Sequence, residues 1–309
     1  MWTTLKPEVT NQLISMKTKI LIRIFIIILL CFNTAYAASS VVEVTVEADT
    51  YNAAQKILAD KKPIQIDNFE GELFERTVVE FILAQQALTL GGSKLELSFV
   101  TGNYDARNAK LLQDGLLLIN VDSMWLSHAK TFVNDVYISD PVIRKGEYYA
   151  GIFTSLNKKN NITINNLSDF QKLSVISSKH WPVDWQTLLQ LKPKSLTHEE
   201  EWISMTKLVS MGWIDVMLLP FTKNNPFRYQ GVSYDLIAVE GVKIALNDSR
   251  HFLVSKHHPQ GKETYIALQK GLKILREKGL IEKAYRQSGF FNDKVKNWTI
   301  INEHLLNSK

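Results

Sequence analysis

Residues 131–155 read TFVNDVYISDPVIRKGEYYAGIFTS, and the way this stretch divides decides the fold. Its first half is an extended edge ending in a turn at Ser139-Asp140-Pro141, because proline blocks a helix and pushes Asp140 toward extended geometry. Its second half, residues 148–154, is an aromatic and β-branched run suited to a strand. One series of alternating helix and strand patterns precedes it, and a second follows. Two readings fit: a strand joining two α/β lobes, or a strand inside one larger α/β domain.

Upstream, residues 41–46 (VVEVTV) end in period-two alternation and read as the first strand. Residues 71–90 place Phe74, Val78, Phe81, Ile82 and Gln85 on successive helical turns, and Gly91-Gly92 ends them. Residues 94–100 (KLELSFV) alternate as a second strand. A helix over 103–114, with Asn103 as its cap, stops at Gly115. The apolar run LLLINV at 116–121 then suits a buried parallel strand. Strand, helix, strand, helix, strand is the pattern of a parallel sheet covered on both faces.

Downstream the idea repeats. Ser168 caps a short helix, and residues 173–176 form a strand. Thr197 with Glu200 makes a capping box for a helix over 199–211, whose Trp202, Met205, Leu208 and Val209 read as core. Gly212 ends it, WIDVMLL at 213–219 is another buried strand, and residues 242–246 and 251–254 add two more. The end is helical, with Tyr265, Leu268, Leu272 and Leu275 on one face and Gly279 closing it.

The first 37 residues lie apart from this core. Lys17, Lys19 and Arg23 precede and punctuate the apolar run ILIRIFIIILLCF, and Ala35-Tyr36-Ala37 supplies a small-x-small cleavage pattern. The run is too short for a membrane span of roughly 20 residues, so export with cleavage is expected and membrane insertion is not. Met16-Lys17 reads as the start, with residues 1–15 an upstream mis-start. Cys31 is the only cysteine, and the Leu30 before it argues against a lipid anchor. A mature chain without a thiol excludes disulfides, thiolate catalysis and cysteine metal sites. The export segment carries +3 of the formal +5, so the remainder gives no argument for nucleic acid.

Several segments together resemble the extracellular solute-binding proteins of the type II periplasmic-binding fold. Asp105-Ala106-Arg107-Asn108 ahead of residues 116–125 resembles that family's helix-then-strand step into a ligand-facing loop. Ile138-Ser139-Asp140-Pro141 with Gly146 resembles its lead into the first crossing between lobes. Gly212-Trp213-Ile214-Asp215-Val216 resembles its G-x-x-D-A step, and Gly271-Leu272 with Lys278-Gly279-Leu280-Ile281 and Ala284-Tyr285 its closing helices. The resemblance implies two α/β lobes, each a mostly parallel sheet flanked by helices, joined by two crossing segments near 148–154 and 250–254. Lobe 1 would hold 38–150 and 252–309, and lobe 2 would hold 151–251. Ligand would lie in the cleft, closed by hinge bending.

Sheets of this kind bind ligands beyond the carboxyl ends of their strands, which selects loops at 49–52, 122–127, 177–185 and 220–224. The family's amino-acid binders place a carboxylate-binding arginine where Phe132 stands and an amine-binding aspartate where Pro220 stands, so an ordinary α-amino acid is not the expected ligand. The candidate ligand-binding residues are Tyr51, Ser123, Trp125, Ser127, Ser178, Lys179, His180, Trp181, Asp184 and Phe221. If the 177–185 loop opens a helix, its amides favour an anionic group. For the tryptophans packing at a lobe edge is the alternative, and for Lys179 and His180 a solvated loop.

No G-x-S-x-G, H-E-x-x-H or phosphate-cradling glycine loop is present. The expectation is therefore a monomeric periplasmic binding protein without cofactor, capturing a small polar ligand for a membrane importer or sensor. Two alternatives come from other classes. One is a periplasmic lyase on the same fold with His180 or Asp184 as general acid. The other is a degenerate homologue that binds a protein partner.

Overall fold

The structure is a computed structural model, and it describes residues 41–102, 105–223 and 225–306. The export signal read over 1–37 and the proposed cap Asn103 lie outside the described residues. The elements run β1 (Val41–Glu47), α1 (Ala48–Leu58), α2 (Arg76–Gly91), β2 (Glu96–Gly102), α3 (Asp105–Gln113), β3 (Ile119–Trp125), α4 (Leu126–Ala129), β4 (Val136–Ile143) and β5 (Tyr149–Ser155). There follow α5 (Leu167–Phe170), β6 (Ser174–Ser177), α6 (Pro182–Leu191), β7 (Ser195–His198), α7 (Trp202–Ser210), β8 (Val216–Pro220), β9 (Arg228–Gly231) and β10 (Tyr234–Ala245). The chain closes with β11 (Arg250–Ser255), α8 (Gly261–Glu277), α9 (Leu280–Gln287), β12 (Thr299–Ile300) and α10 (Glu303–Leu306).

Three sheets result. β1 pairs with β2; β3, β11 and β4 make a second; and a third runs β12-β10-β5-β8-β6-β7 with β9 on β10. In the second sheet β11 is antiparallel to both neighbours, so β3 and β4 run the same way on either side of it. In the third, β6 is parallel to β7 and β8, and β5 is antiparallel to β8 and β10. The chain passes between the second and third sheets through the links β4–β5 and β10–β11. The final stretch makes a further passage, because β12 is parallel to β10 at the edge of the third sheet.

The stretch 131–155 departs from its reading in one respect. No turn forms at Ser139-Asp140-Pro141; β4 continues through it to Ile143. Among the described strands β4 is an edge bonded only to β11, and an edge tolerates a residue without an N–H. The two carbonyls there are used instead: Arg276 donates to Pro141 O at 2.6 Å and Val142 O at 3.0 Å. Ser139 is buried, its Oγ accepting from Phe252 N and its carbonyl 2.6 Å from His251 Nδ1, which ties the motif to β11.

Two caps also differ. Thr197 lies in β7, and α7 begins at Trp202 after Glu201, which makes no side-chain cap. The spacing of a capping box was present, but β7 pairs with β6 and takes Thr197 into the sheet. At α5 the cap is Asn166, accepting from Asp169 N, two residues earlier than Ser168.

α2 is buried almost all round, as a core helix should be, and ends on Gly92 in the left-handed region at φ 91°. It packs on α8 so closely that a Cβ on Gly271 would fall 1.7 Å from Ala87 O. Asp215 of the G-x-x-D step is structural: its Oδ2 accepts from Ser174 N at 2.9 Å and Ser174 Oγ at 2.7 Å, and Lys158 Nζ lies 2.8 Å from Oδ1. Burial pushes this carboxyl up, yet these partners outweigh it and hold it below its ordinary range.

Candidate functional site

The carboxyl end of β3 carries Asp122, Ser123 and Trp125 to a place where two arginines converge. Arg76 and Glu80 sit one turn apart at the start of α2, and Arg76 Nη1 lies 2.6 Å from Glu80 Oε2 and 2.7 Å from Asp122 Oδ1. Arg250 opens β11, whose antiparallel register places it opposite Trp125. Its Nε donates to Ser123 Oγ at 2.8 Å, its Nη2 donates to Ser123 O, and Nη2 is 3.9 Å from Asp122.

Glu80 is fully buried and receives four donors: Arg76, Ser123 N at 2.9 Å, Ser123 Oγ at 2.7 Å and Tyr285 Oη at 3.0 Å. Burial pushes its carboxyl up, against the pull of Arg76 and Arg250. Burial acts the same way on Asp122, but there the two guanidiniums prevail and hold it at about 2. Two guanidiniums thus face two acids, of which Asp122 carries the charge most firmly.

The facing wall comes from the third sheet. β6 leads into α6, which starts with Pro182 at its first position and carries Asp184 in its first turn. Burial pushes the Asp184 carboxyl up to about 6, and among the described residues the one hydrogen bond acting on it comes from its own backbone amide. Tyr148, in the β4–β5 link, stands between the walls. Burial raises its phenol first, then Asp184 and Tyr229 raise it further, while Arg76 and Arg250 pull the other way. Its ring stacks on Phe290 at 4.7 Å and lies 6.3 Å from Trp125, over which the Arg250 guanidinium sits at 4.8 Å.

Beside this packed centre a cavity of about 620 Å³ opens between α4 and α6, within the size range of small-molecule sites. Ser127, His128 and Lys130 line one side, His180, Val183 and Thr187 the other, and Asn247 and Asp248 of the β10–β11 link the end. Asp248 accepts from Ser127 N at 3.1 Å, and Asn247 donates to Gln190 at 3.2 Å. The Asn247 Oδ1 is buried with no hydrogen-bond partner among the described residues.

The expected ligand-binding residues fall into three groups. Ser123 and Trp125 belong to the arginine wall, and Asp184 faces it through Tyr148. Ser127 and His180 line the cavity, His180 lying 3.3 Å from Glu200. The rest lie within their own neighbourhoods. Tyr51 meets Phe81 and Phe99, Trp181 meets Trp202, and Phe221 is buried against Phe153, Phe227 and Trp298. Ser178 accepts from His180 N at 3.2 Å, and Lys179 sits 5.6 Å from the Trp185 ring.

The reading of the sequence missed Arg76, Glu80, Tyr148, Arg250 and Tyr285. Arginine chemistry does reach the β3 loop, but from α2 and β11 instead of the position of Phe132, which is buried. Arg76 and Glu80 are spaced like any surface i, i+4 pair, and only the burial of Glu80 separates them from one. Among the described residues no group of three or more metal-ligating side chains forms, and no helix is long and apolar enough to cross a membrane.

No protein-family profile matches the chain, and no curated protein is significantly similar to it. Solved structures do match. The probable amino-acid ABC transporter extracellular-binding protein ytmK from Bacillus subtilis aligns over 80% of this chain and 97% of its own, at 14% identity and a TM-score of 0.51. Substrate-binding domain 2 of GlnP from Lactococcus lactis aligns over 79% and 93%, at 12% identity and a TM-score of 0.47. An ancestral cationic amino acid solute-binding protein aligns over 80% and 94%, at 19% identity and a TM-score of 0.46. At such identities the likeness speaks for the fold, and the fold of this chain is the two-lobed α/β architecture of the type II periplasmic-binding proteins.

Proposed function

We propose that the protein is an exported binding protein that captures a small polar solute between its lobes and presents it to a membrane importer or a sensor. The observation that carries this reading is the cavity of about 620 Å³ whose walls come from α4 on one side and α6 on the other, with the β10–β11 link at its end. A site built from two sheet-bearing halves and the strand link between them couples occupancy to the angle between the halves. The lobes would be 38–150 with 252–309, and 151–251, hinged at the links β4–β5 and β10–β11.

Polar groups inside the cavity set the orientation of a solute. Asn247 offers an acceptor, and Ser127, Thr187 and His180 offer hydroxyl and imidazole chemistry. The test is a thermal-melt screen of the purified protein against small polar metabolites. A true ligand raises the melting temperature in proportion to the logarithm of its concentration above Kd. Substituting Thr187→Val and His180→Ala should weaken that response. If no metabolite moves the melt, the reading is wrong.

A further inference from the structure

A buried guanidinium with an open fork is a natural receptor for a carboxylate. Arg76 and Arg250 bring two such groups to the end of β3, and both are already engaged by the protein. Arg76 holds Asp122 at 2.7 Å and Glu80 at 2.6 Å; Arg250 holds Ser123 and lies 3.9 Å from Asp122. We propose that Asp122 is a resident anion for this arginine pair, so that the two guanidiniums at the end of β3 offer no receptor position to a carboxylate from outside. The proposal rests on the solute-binding reading above and removes the arginine wall beside the cavity from the groups that could hold a solute carboxylate.

Position singles out Asp122 from the two acids. The Glu80 side chain has no exposure, whereas that of Asp122 is 38% exposed, and the Arg76 and Arg250 side chains are 23% and 12% exposed. Asp122 is therefore the acid an incoming anion would have to displace. It is tethered by the backbone of β3, so its carboxylate is present at an effective concentration in the millimolar range or above, which a dilute free solute does not match. With Asp122 in place both guanidiniums already have a carboxylate neighbour, and one more carboxylate would find that anion position filled. Removing Asp122 leaves a guanidinium exposed to solvent with its anion position open.

The experiment is chemical rescue. The wild type and Asp122→Ala are melted at pH 7.5 while sodium acetate replaces sodium chloride at fixed ionic strength, with acetamide as the neutral isostere. The wild type should not respond. The alanine variant should melt lower in chloride and regain several degrees as acetate rises, saturably, with no response to acetamide. Equal stabilisation of both proteins by acetate overturns the proposal, as does a folded variant that ignores acetate or answers acetamide equally. Should the variant not fold, the wild type decides: calorimetric titration with acetate and succinate is expected to give no saturable heat, and a saturable heat sinks the idea. A metabolite screen without hits would remove the solute-binding reading while leaving the acetate result standing, so the two fail separately.

Discussion

Asp184→Asn is expected to stabilise the protein, and to do so only above mildly acidic pH. The carboxyl sits in the first turn of α6, and burial lifts it from its ordinary 3.8 to about 6. Among the described residues its own backbone amide alone opposes that rise. A shift of about two units corresponds to about 3 kcal/mol at 1.36 kcal/mol per unit. The sign follows from linkage: a carboxyl raised in the folded state contributes nothing adverse below about pH 4, where folded and unfolded chains both hold the proton. Between pH 4 and 6 the unfolded chain releases it first, and stability falls; above 6 the loss is complete. Asparagine carries no proton to lose. Urea unfolding followed by circular dichroism should give variant and wild type within about 0.5 kcal/mol of each other at pH 4. At pH 7.5 the asparagine variant should lead by about 2–3 kcal/mol, or roughly 5–10 °C in Tm. A variant that is less stable at pH 7.5, or an advantage independent of pH, would refute the assignment of Asp184 as an uncompensated half-buried acid.

Three further outcomes follow from the same geometry. Glu80→Ala strands four donors in a fully buried place and should cost about 3–5 kcal/mol in urea unfolding, with Glu80→Gln milder because its amide oxygen still accepts. Gly271→Ala drives a Cβ to 1.7 Å from Ala87 O, so α2 and α8 must part; a loss of 3 kcal/mol or more in thermal unfolding is expected, with Lys270→Ala at the neighbouring exposed position unchanged. Asp122, held at about 2, contributes stability that is present above about pH 4 and lost as pH falls toward 2, so Asp122→Asn should flatten that limb of an acid titration followed by circular dichroism.

The order of segments was legible because it rests on short-range patterns. β5, β8 and β11 are apolar runs and appear close to where the pattern puts them, and Gly92, Gly212 and Gly279 mark helix ends through positive φ. What failed depended on a neighbour far away in the chain. Whether Pro141 makes a turn or sits in a strand depends on which edge of β4 faces β11, and Thr197 is claimed by β6 before α7 can use it as a cap. The site was legible in part for the same reason. Strand ends pointed to Ser123, Trp125 and Ser127, since the rule about carboxyl ends needs only the strands. Arg250 and Arg76 come from 127 residues after Ser123 and 46 before Asp122, and nothing local in either segment announces that they meet.

The two walls of the cleft are therefore in opposite electrostatic states. On the β3 side every charge has a counter-charge of the protein's own, so a solute gains little from adding to it. On the α6 side Asp184 holds its charge at a cost that no cation among the described residues offsets. Free energy is available on binding only where the unliganded protein is unsatisfied, and that is the α6 wall together with the unpartnered Asn247 Oδ1. Asn247 lines the cavity and Asp184 does not, so a solute would relieve both only by extending a cationic group past the cavity to Asp184; the binding of such a solute should tighten as pH rises through about 6, where Asp184 becomes charged. Calorimetric titration of a confirmed ligand at pH 5 and pH 7.5 measures this directly. Tighter binding at pH 5 would mean that the α6 wall is not where the solute is held.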